Sequence, residues 1–175
     1  MKVRKRKQYI LIITLIIALS ACSLNPDLEL YEGEALRIAV VGEPPDIKEE
    51  QVRFSEISFD ELLSKELDSF DAVFIMKDHL YKAAESQYTD VYLNTNIPFF
   101  FISAKSHIPF TVKDTEYDES WNWTPGNSYT VGVLRSEEGD SLRNWEFGLY
   151  NDEKTEEHIK EMYSRTFKEI EGLEL

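Results

Sequence analysis

Leu36-Arg37-Ile38-Ala39-Val40-Val41-Gly42 is a run rich in β-branched residues, closed by a glycine. A strand buried on both faces has this composition, and such strands belong to parallel sheets covered by helices. Asp71-Ala72-Val73-Phe74-Ile75-Met76 and Ile97-Pro98-Phe99-Phe100-Phe101-Ile102-Ser103 repeat the pattern. Pro98 is tolerable because it stands at a strand's start.

Helical patterns fill the intervals. Ser58-Phe59-Asp60-Glu61 matches a capping box, in which a serine and the glutamate three residues later satisfy backbone donors at a helix start. It predicts a helix over about 60–69, with Leu62, Leu63, Glu66, Leu67 and Phe70 at helical spacing. A second helix is predicted over about 80–94 from Leu80, Ala83, Ala84, Tyr88, Val91 and Tyr92. Strand, helix, strand, helix, strand is the order of a parallel layered sheet. Glu43-Pro44-Pro45-Asp46 ends the first strand, since each proline fixes φ and pushes its predecessor toward extended geometry. Gln51 to Ile57 alternates apolar with polar residues and predicts an edge strand. The link to it is shorter than the dozen or so residues a parallel crossover usually takes, so a single helical turn is expected there.

Beyond Ser103 the pattern changes. Lys105 to Asn127 has no long apolar period and reads as an extended excursion, with one short strand at Phe110-Thr111-Val112. Tyr129 to Leu134 and Trp145 to Tyr150 predict two more strands around a turn at Glu138-Gly139-Asp140, with Trp145 in the core. The last helix, about 153–171, carries Ile159, Met162, Tyr163, Phe167 and Ile170 on one stripe and His158 on its charged face. The expected fold class is α/β: residues 35–175 as a single layered domain, a mostly parallel sheet flanked by helices, with antiparallel strands near the C-terminus.

The N-terminus is of a different kind. Lys2, Arg4, Lys5, Arg6 and Lys7 precede an apolar run from Tyr9 to Ala18, which ends in Leu19-Ser20-Ala21-Cys22. A basic start, a short apolar stretch and small residues form an export signal. A membrane span needs about 20 predominantly apolar residues, and Tyr9 to Ala21 is shorter and holds Thr14 and Ser20. Leu-Ser-Ala-Cys, containing the chain's one cysteine, resembles the lipobox of bacterial lipoprotein precursors. The resemblance covers this segment alone. It implies a signal peptide over 1–21, a diacylglyceryl group on the Cys22 sulfur that carries fatty acids such as palmitate, and Cys22 as the first residue of the mature protein. Two acyl chains anchor stably where one does not. The expected address is the cell membrane, lipid-anchored, on its extracytoplasmic face. Residues 22–34, with Asn25, Pro26, Gly33 and four acidic residues, are expected to form a spacer.

The leader holds five of the 19 basic residues and none of the 33 acidic ones, leaving 14 against 33, a formal charge of −19. Nucleic-acid binders show a basic footprint, so no nucleic-acid partner is expected. With Cys22 acylated no thiol remains for a disulfide or a thiolate metal site.

In open α/β sheets ligands bind outside the strand carboxyl ends, where the strand order reverses. That edge is expected to gather Glu43 and Asp46, then Lys77, Asp78 and His79, then Ser103, Lys105, Ser106 and His107. Two histidines with two or three carboxylates are donors for a divalent metal, and a carboxylate, a lysine and a histidine are groups for acid–base work, but neither signal is specific: no His-x-x-x-His spacing and no Gly-x-Ser-x-Gly is present, and no metal ligand or catalytic residue is assigned. Asp78 can equally cap the following helix. The first turn lacks Gly-x-Gly-x-x-Gly, so no dinucleotide or other cofactor is expected. Trp121 and Trp123, beside Pro125-Gly126, can present rings to a partner or fold back over the sheet edge. The leading expectation is a membrane-anchored domain that binds a small-molecule ligand or a protein partner. A hydrolase-like enzyme using the strand-end residues and an envelope assembly factor are the alternatives. A tethered α/β domain also resembles one lobe of the solute-binding proteins of uptake systems, which enclose ligand between two lobes where this chain has length for one.

Overall fold

A computed structural model describes residues 29–64, 67–136 and 141–173. The leader with Cys22 and the expected turn at 138–140 lie outside the described residues.

Among the described residues there is one six-stranded sheet, in the order β2-β1-β3-β4-β5-β6. Its strands are β1 Leu36–Val41, β2 Val52–Glu56, β3 Ala72–Ile75, β4 Phe99–Ile102, β5 Thr130–Arg135 and β6 Leu142–Phe147. The first four are parallel, with Leu36 beside Val52, Ile38 beside Ala72 and Val73 beside Phe99. β4–β5 and β5–β6 are antiparallel, with Phe99 facing Val133 and Gly132 facing Trp145. The fold is therefore α/β, mostly parallel, with antiparallel strands near the C-terminus.

Alternation along each strand feeds two cores. Ala39, Val41, Val73, Ile75, Phe99 and Phe101 face one side, against α1 (Phe59–Ser64), α2 (Leu80–Ala83), α3 (Ser86–Asn94) and α4 (Ile108–Thr111). Ile38, Val40, Phe74, Phe100 and Ile102 face the other, against Met162, Tyr163, Phe167 and Ile170 of α5 (Glu156–Glu171). Phe74 stacks nearly parallel to Phe167, their centroids 6.2 Å apart. Both faces are covered, which is why these strands read as unbroken apolar runs.

The capping box is made: Glu61 N donates to Ser58 Oγ at 3.2 Å and Ser58 N to Glu61 Oε2 at 2.8 Å. Four local expectations are corrected. β2 is an edge strand, but an irregular segment rather than a helical turn leads to it, closed by Val52 N donating to Glu49 O at 3.2 Å. Pro44 and Pro45 disfavour helix there.

The helix expected over 80–94 breaks at Glu85, whose ψ is 133°. Ser86 Oγ is held by Asp114: it donates to Asp114 Oδ1 at 3.1 Å and accepts from Asp114 N at 3.0 Å. The Tyr92 hydroxyl donates to Ala83 O at 3.0 Å, satisfying a carbonyl at the break.

Phe110-Thr111-Val112 is not a strand. Ile108–Thr111 form one helical turn with Pro109 near its start, and Thr111 N donates back to His107 O at 3.2 Å. The turn stacks Phe110 on Phe101 with centroids 3.7 Å apart. His158, expected on the charged face, is 8% exposed: its Nδ1 lies 2.9 Å from Glu153 O and its ring packs on Tyr150. Trp145 lies in β6, half-buried in the second core, and its indole donates to Glu169 at 2.6 Å.

Among the described residues no helix is long and apolar enough to cross a membrane.

Candidate functional site

β1 and β3 lie side by side and parallel, and the chain leaves them toward opposite faces. After β1 it carries Ile47 to the α5 face, and after β3 it carries Leu80 and Ala83 to the other. Their carboxyl ends therefore diverge, and this is the switch point of the sheet. Gly42 sits there with φ +111°, a conformation suited to glycine. Met76 N donates to Val41 O at 3.1 Å and His79 N to Met76 O at 2.9 Å, winding Lys77–His79 into a single 3-10 turn.

That turn drops the His79 ring into the divergence. A Cβ on Gly42 would lie 2.7 Å from His79 Cδ2 and 3.0 Å from Met76 Cβ. The ring also lies near Phe59, 6.1 Å away between centroids and tilted, and Lys82 Nζ stands 4.8 Å above the same phenyl ring. Glu43, Lys77 and Asp78 are exposed around it. Asp78 makes no side-chain cap to the helix that follows.

The end of β4 is built differently. Ser103 has φ 70° and is 3% exposed. Its N–H donates to Tyr129 O at 2.6 Å and its carbonyl accepts from Trp123 N at 2.8 Å. Ala104 bridges Asn122 in antiparallel fashion, and Lys105 N donates to Trp121 O at 3.0 Å. Residues 121–123 thus lie along 103–105 as a short ladder and cover the β4 end. Trp123 packs edge-on against Tyr129 at 5.6 Å and donates to Asn127 O at 3.2 Å; Trp121 donates to Glu116 O at 3.2 Å and packs on the first core. Both rings remain half-buried. Lys154 Nζ stands 5.9 Å and 5.5 Å from the ring centres of Trp123 and Tyr129. Burial pushes the Tyr129 hydroxyl above its ordinary pKa, and a side-chain hydrogen bond with Ser103 partly opposes this.

Two expected members stand apart. Asp46 Oδ2 accepts from Lys160 Nζ at 3.2 Å, on the α5 side. His107 precedes α4, half-buried, and among the described residues its buried Nδ1 has no hydrogen-bond partner. Burial lowers its pKa below the ordinary 6.5, against the opposing pull of the Glu146 carboxylate.

The strand ends thus form two neighbouring groups. Glu43, Lys77, Asp78 and His79 stand at the switch point, and Ser103, Trp121 and Trp123 at the end of β4. Among the described residues no three histidine, cysteine or carboxylate side chains converge to hold a metal.

Sequence reasoning missed Tyr129, Lys154, Tyr81 and Tyr117. Tyr81, 54% exposed, stacks edge-on against Tyr117 at 5.0 Å, and Tyr117 lies 5.6 Å from Phe110. Phe110 belongs to the turn that leaves Ile108 exposed, with Val112 just beyond. Nothing local marks this apolar rim, because Tyr81 and Tyr117 come from different connections. Comparison of the chain with protein families, with curated proteins and with solved structures finds no match.

Proposed function

We propose that this chain is a lipoprotein held by diacylated Cys22 on the extracytoplasmic face of the cell membrane, where its α/β domain binds a ligand or protein partner. The observation that carries the reading is Leu19-Ser20-Ala21-Cys22, placed after a basic start and a short apolar run and holding the chain's one cysteine. An apolar run this short favours a cleaved signal over a permanent span.

Binding is favoured over hydrolysis by what the strand-end side chains touch. Ser103, the hydroxyl nearest a nucleophile's position, is buried beneath the 121–123 ladder and engaged with Tyr129. The His79 ring packs against Gly42 and Phe59 rather than against a hydroxyl. A nucleophile needs its base within hydrogen-bond reach. Tyr81, Ile108 and Val112, exposed on the side of the sheet where Trp121 packs, instead give aromatic and aliphatic surface of the kind that anchors partners.

Growth with radioactive palmitate tests the reading. The wild-type chain takes label and partitions with membranes, while Cys22→Ala takes none and keeps its leader. A labelled Cys22→Ala chain, or an unlabelled wild type, refutes the anchor.

A further inference from the structure

The segment just before β1 is fastened to the domain. Tyr31 is 2% exposed, its ring edge-on to Phe167 of α5 at 5.9 Å and its hydroxyl donating to Glu34 O at 2.8 Å. Gln51 Nε2 donates to Tyr31 O at 2.7 Å. Glu171, at the end of α5, accepts from Glu34 N at 2.6 Å, and burial together with this carboxylate pushes the Tyr31 hydroxyl above its ordinary pKa. Lys168 Nζ pairs with Glu29 at 3.6 Å. Gly33 lets the backbone pass this close: a Cβ there would overlap the Glu171 carboxylate and the Tyr31 ring.

These contacts lie at one end of the sheet. α5 runs back along the parallel strands: Lys160 near its start pairs with Asp46, beyond the carboxyl end of β1, and Glu169 near its end pairs with Arg143 at the start of β6. Its last turn therefore stands at the amino edge, where residues 29–34 enter β1. Gly42, His79 and Ser103 stand at the opposite edge, about 20 Å away for a six-residue strand.

We infer that residues 29–34 are a clasp that locks the end of the tether to the amino edge of the sheet, so that the strand carboxyl ends are held away from the bilayer. The inference rests on the Cys22 anchor. Counted from Cys22, the chain up to the clasp has a contour length of about 25 Å, and up to Glu34 of about 45 Å. The clasp sets both the height of the domain and which edge a partner meets.

The test uses the acylated full chain in lipid vesicles. Acylation consumes the Cys22 thiol, so Asp68→Cys, exposed at the amino edge, and Asp78→Cys, exposed at the carboxyl edge, each add a single site for a donor dye. With acceptor dye on the lipid headgroups, transfer from position 78 is expected at about half that from position 68 or less, given the roughly 20 Å between the edges. Gly33→Val displaces the Glu171 carboxylate and is expected to remove most of that difference; Glu171→Ala serves if that variant does not fold. Equal transfer from both positions in a chain with confirmed palmitate overturns the clasp and leaves the anchor standing. A chain that takes no palmitate overturns the anchor, and the clasp's membrane role with it.

Discussion

The His79 ring occupies the space that a side chain on Gly42 would need, with Cδ2 only 2.7 Å from the position of a Cβ. The switch point of the sheet is thus filled from within by the turn after β3. Gly42→Ala meets two costs, a φ of +111° that L residues rarely adopt and the imidazole itself. The expected loss is about 1–3 kcal/mol by urea denaturation. His79→Ala in the same chain relieves only the contact, so the double variant is expected to lose less than the two single losses combined. Additive losses would show that the two residues are not coupled.

Much of the fold was legible because its causes are local or compositional. Val73 to Ile75 and Phe99 to Ile102 are buried on both faces, and such strands have room for little but apolar residues. Ser58 and Glu61 cap a helix through each other's backbone N–H groups, so two residues three apart carry the whole signal. The break at Glu85 was hidden because it depends on Asp114 reaching Ser86 from 28 residues away. His158 sits among charged neighbours in sequence, yet the Glu153 carbonyl and the Tyr150 ring fold back over it.

The candidate site divides along the same line. Placing Asp78, His79 and Ser103 at one edge follows from strand direction alone. That Asp46 turns to Lys160, and that Ser103 is sealed by Tyr129 and Trp123, are long-range pairings that no spacing encodes.

Phe110 holds the covering of the first core in place. It is fully buried and stacked on Phe101 at 3.7 Å. Phe110→Ala is expected to cost about 3–5 kcal/mol, the range for emptying a buried phenyl site. Ile108, in the same turn, is 42% exposed, and Ile108→Ala is expected to stay within about 0.5 kcal/mol. Urea midpoints of the two variants check the contrast; similar losses would mean that the turn, and not the stack, carries the stability.

Glu49 joins the link between β1 and β2 to α5. Its side chain is 5% exposed, one oxygen accepting from Ser164 Oγ and the other from Lys48 N at 3.0 Å. Ser164→Ala removes a donor from a buried carboxylate and is expected to destabilise by roughly 1–3 kcal/mol. Glu49→Met combined with Ser164→Ala removes both polar partners and is expected to recover part of that loss. Thermal melts of the single and double variants decide it, and a double variant worse than Ser164→Ala alone goes against the pairing.

His107 gives the chain a predictable response to acid. Burial lowers its pKa below 6.5, so the unfolded chain binds the proton more readily than the folded one. Its contribution to stability is therefore complete above the unfolded value, falls as pH drops below about 6.5, and levels off beneath the folded value. The measurement is the urea midpoint at pH 7.5 and 5.5 for wild type and His107→Gln, both sharing every other acidic group. The wild type is expected to lose more stability on acidification than His107→Gln. Because the Glu146 carboxylate opposes the lowering, Glu146→Gln should deepen it and extend the loss to lower pH. Parallel pH curves for wild type and His107→Gln would place the imidazole in water, with its Nδ1 hydrated rather than sealed in the connection before α4.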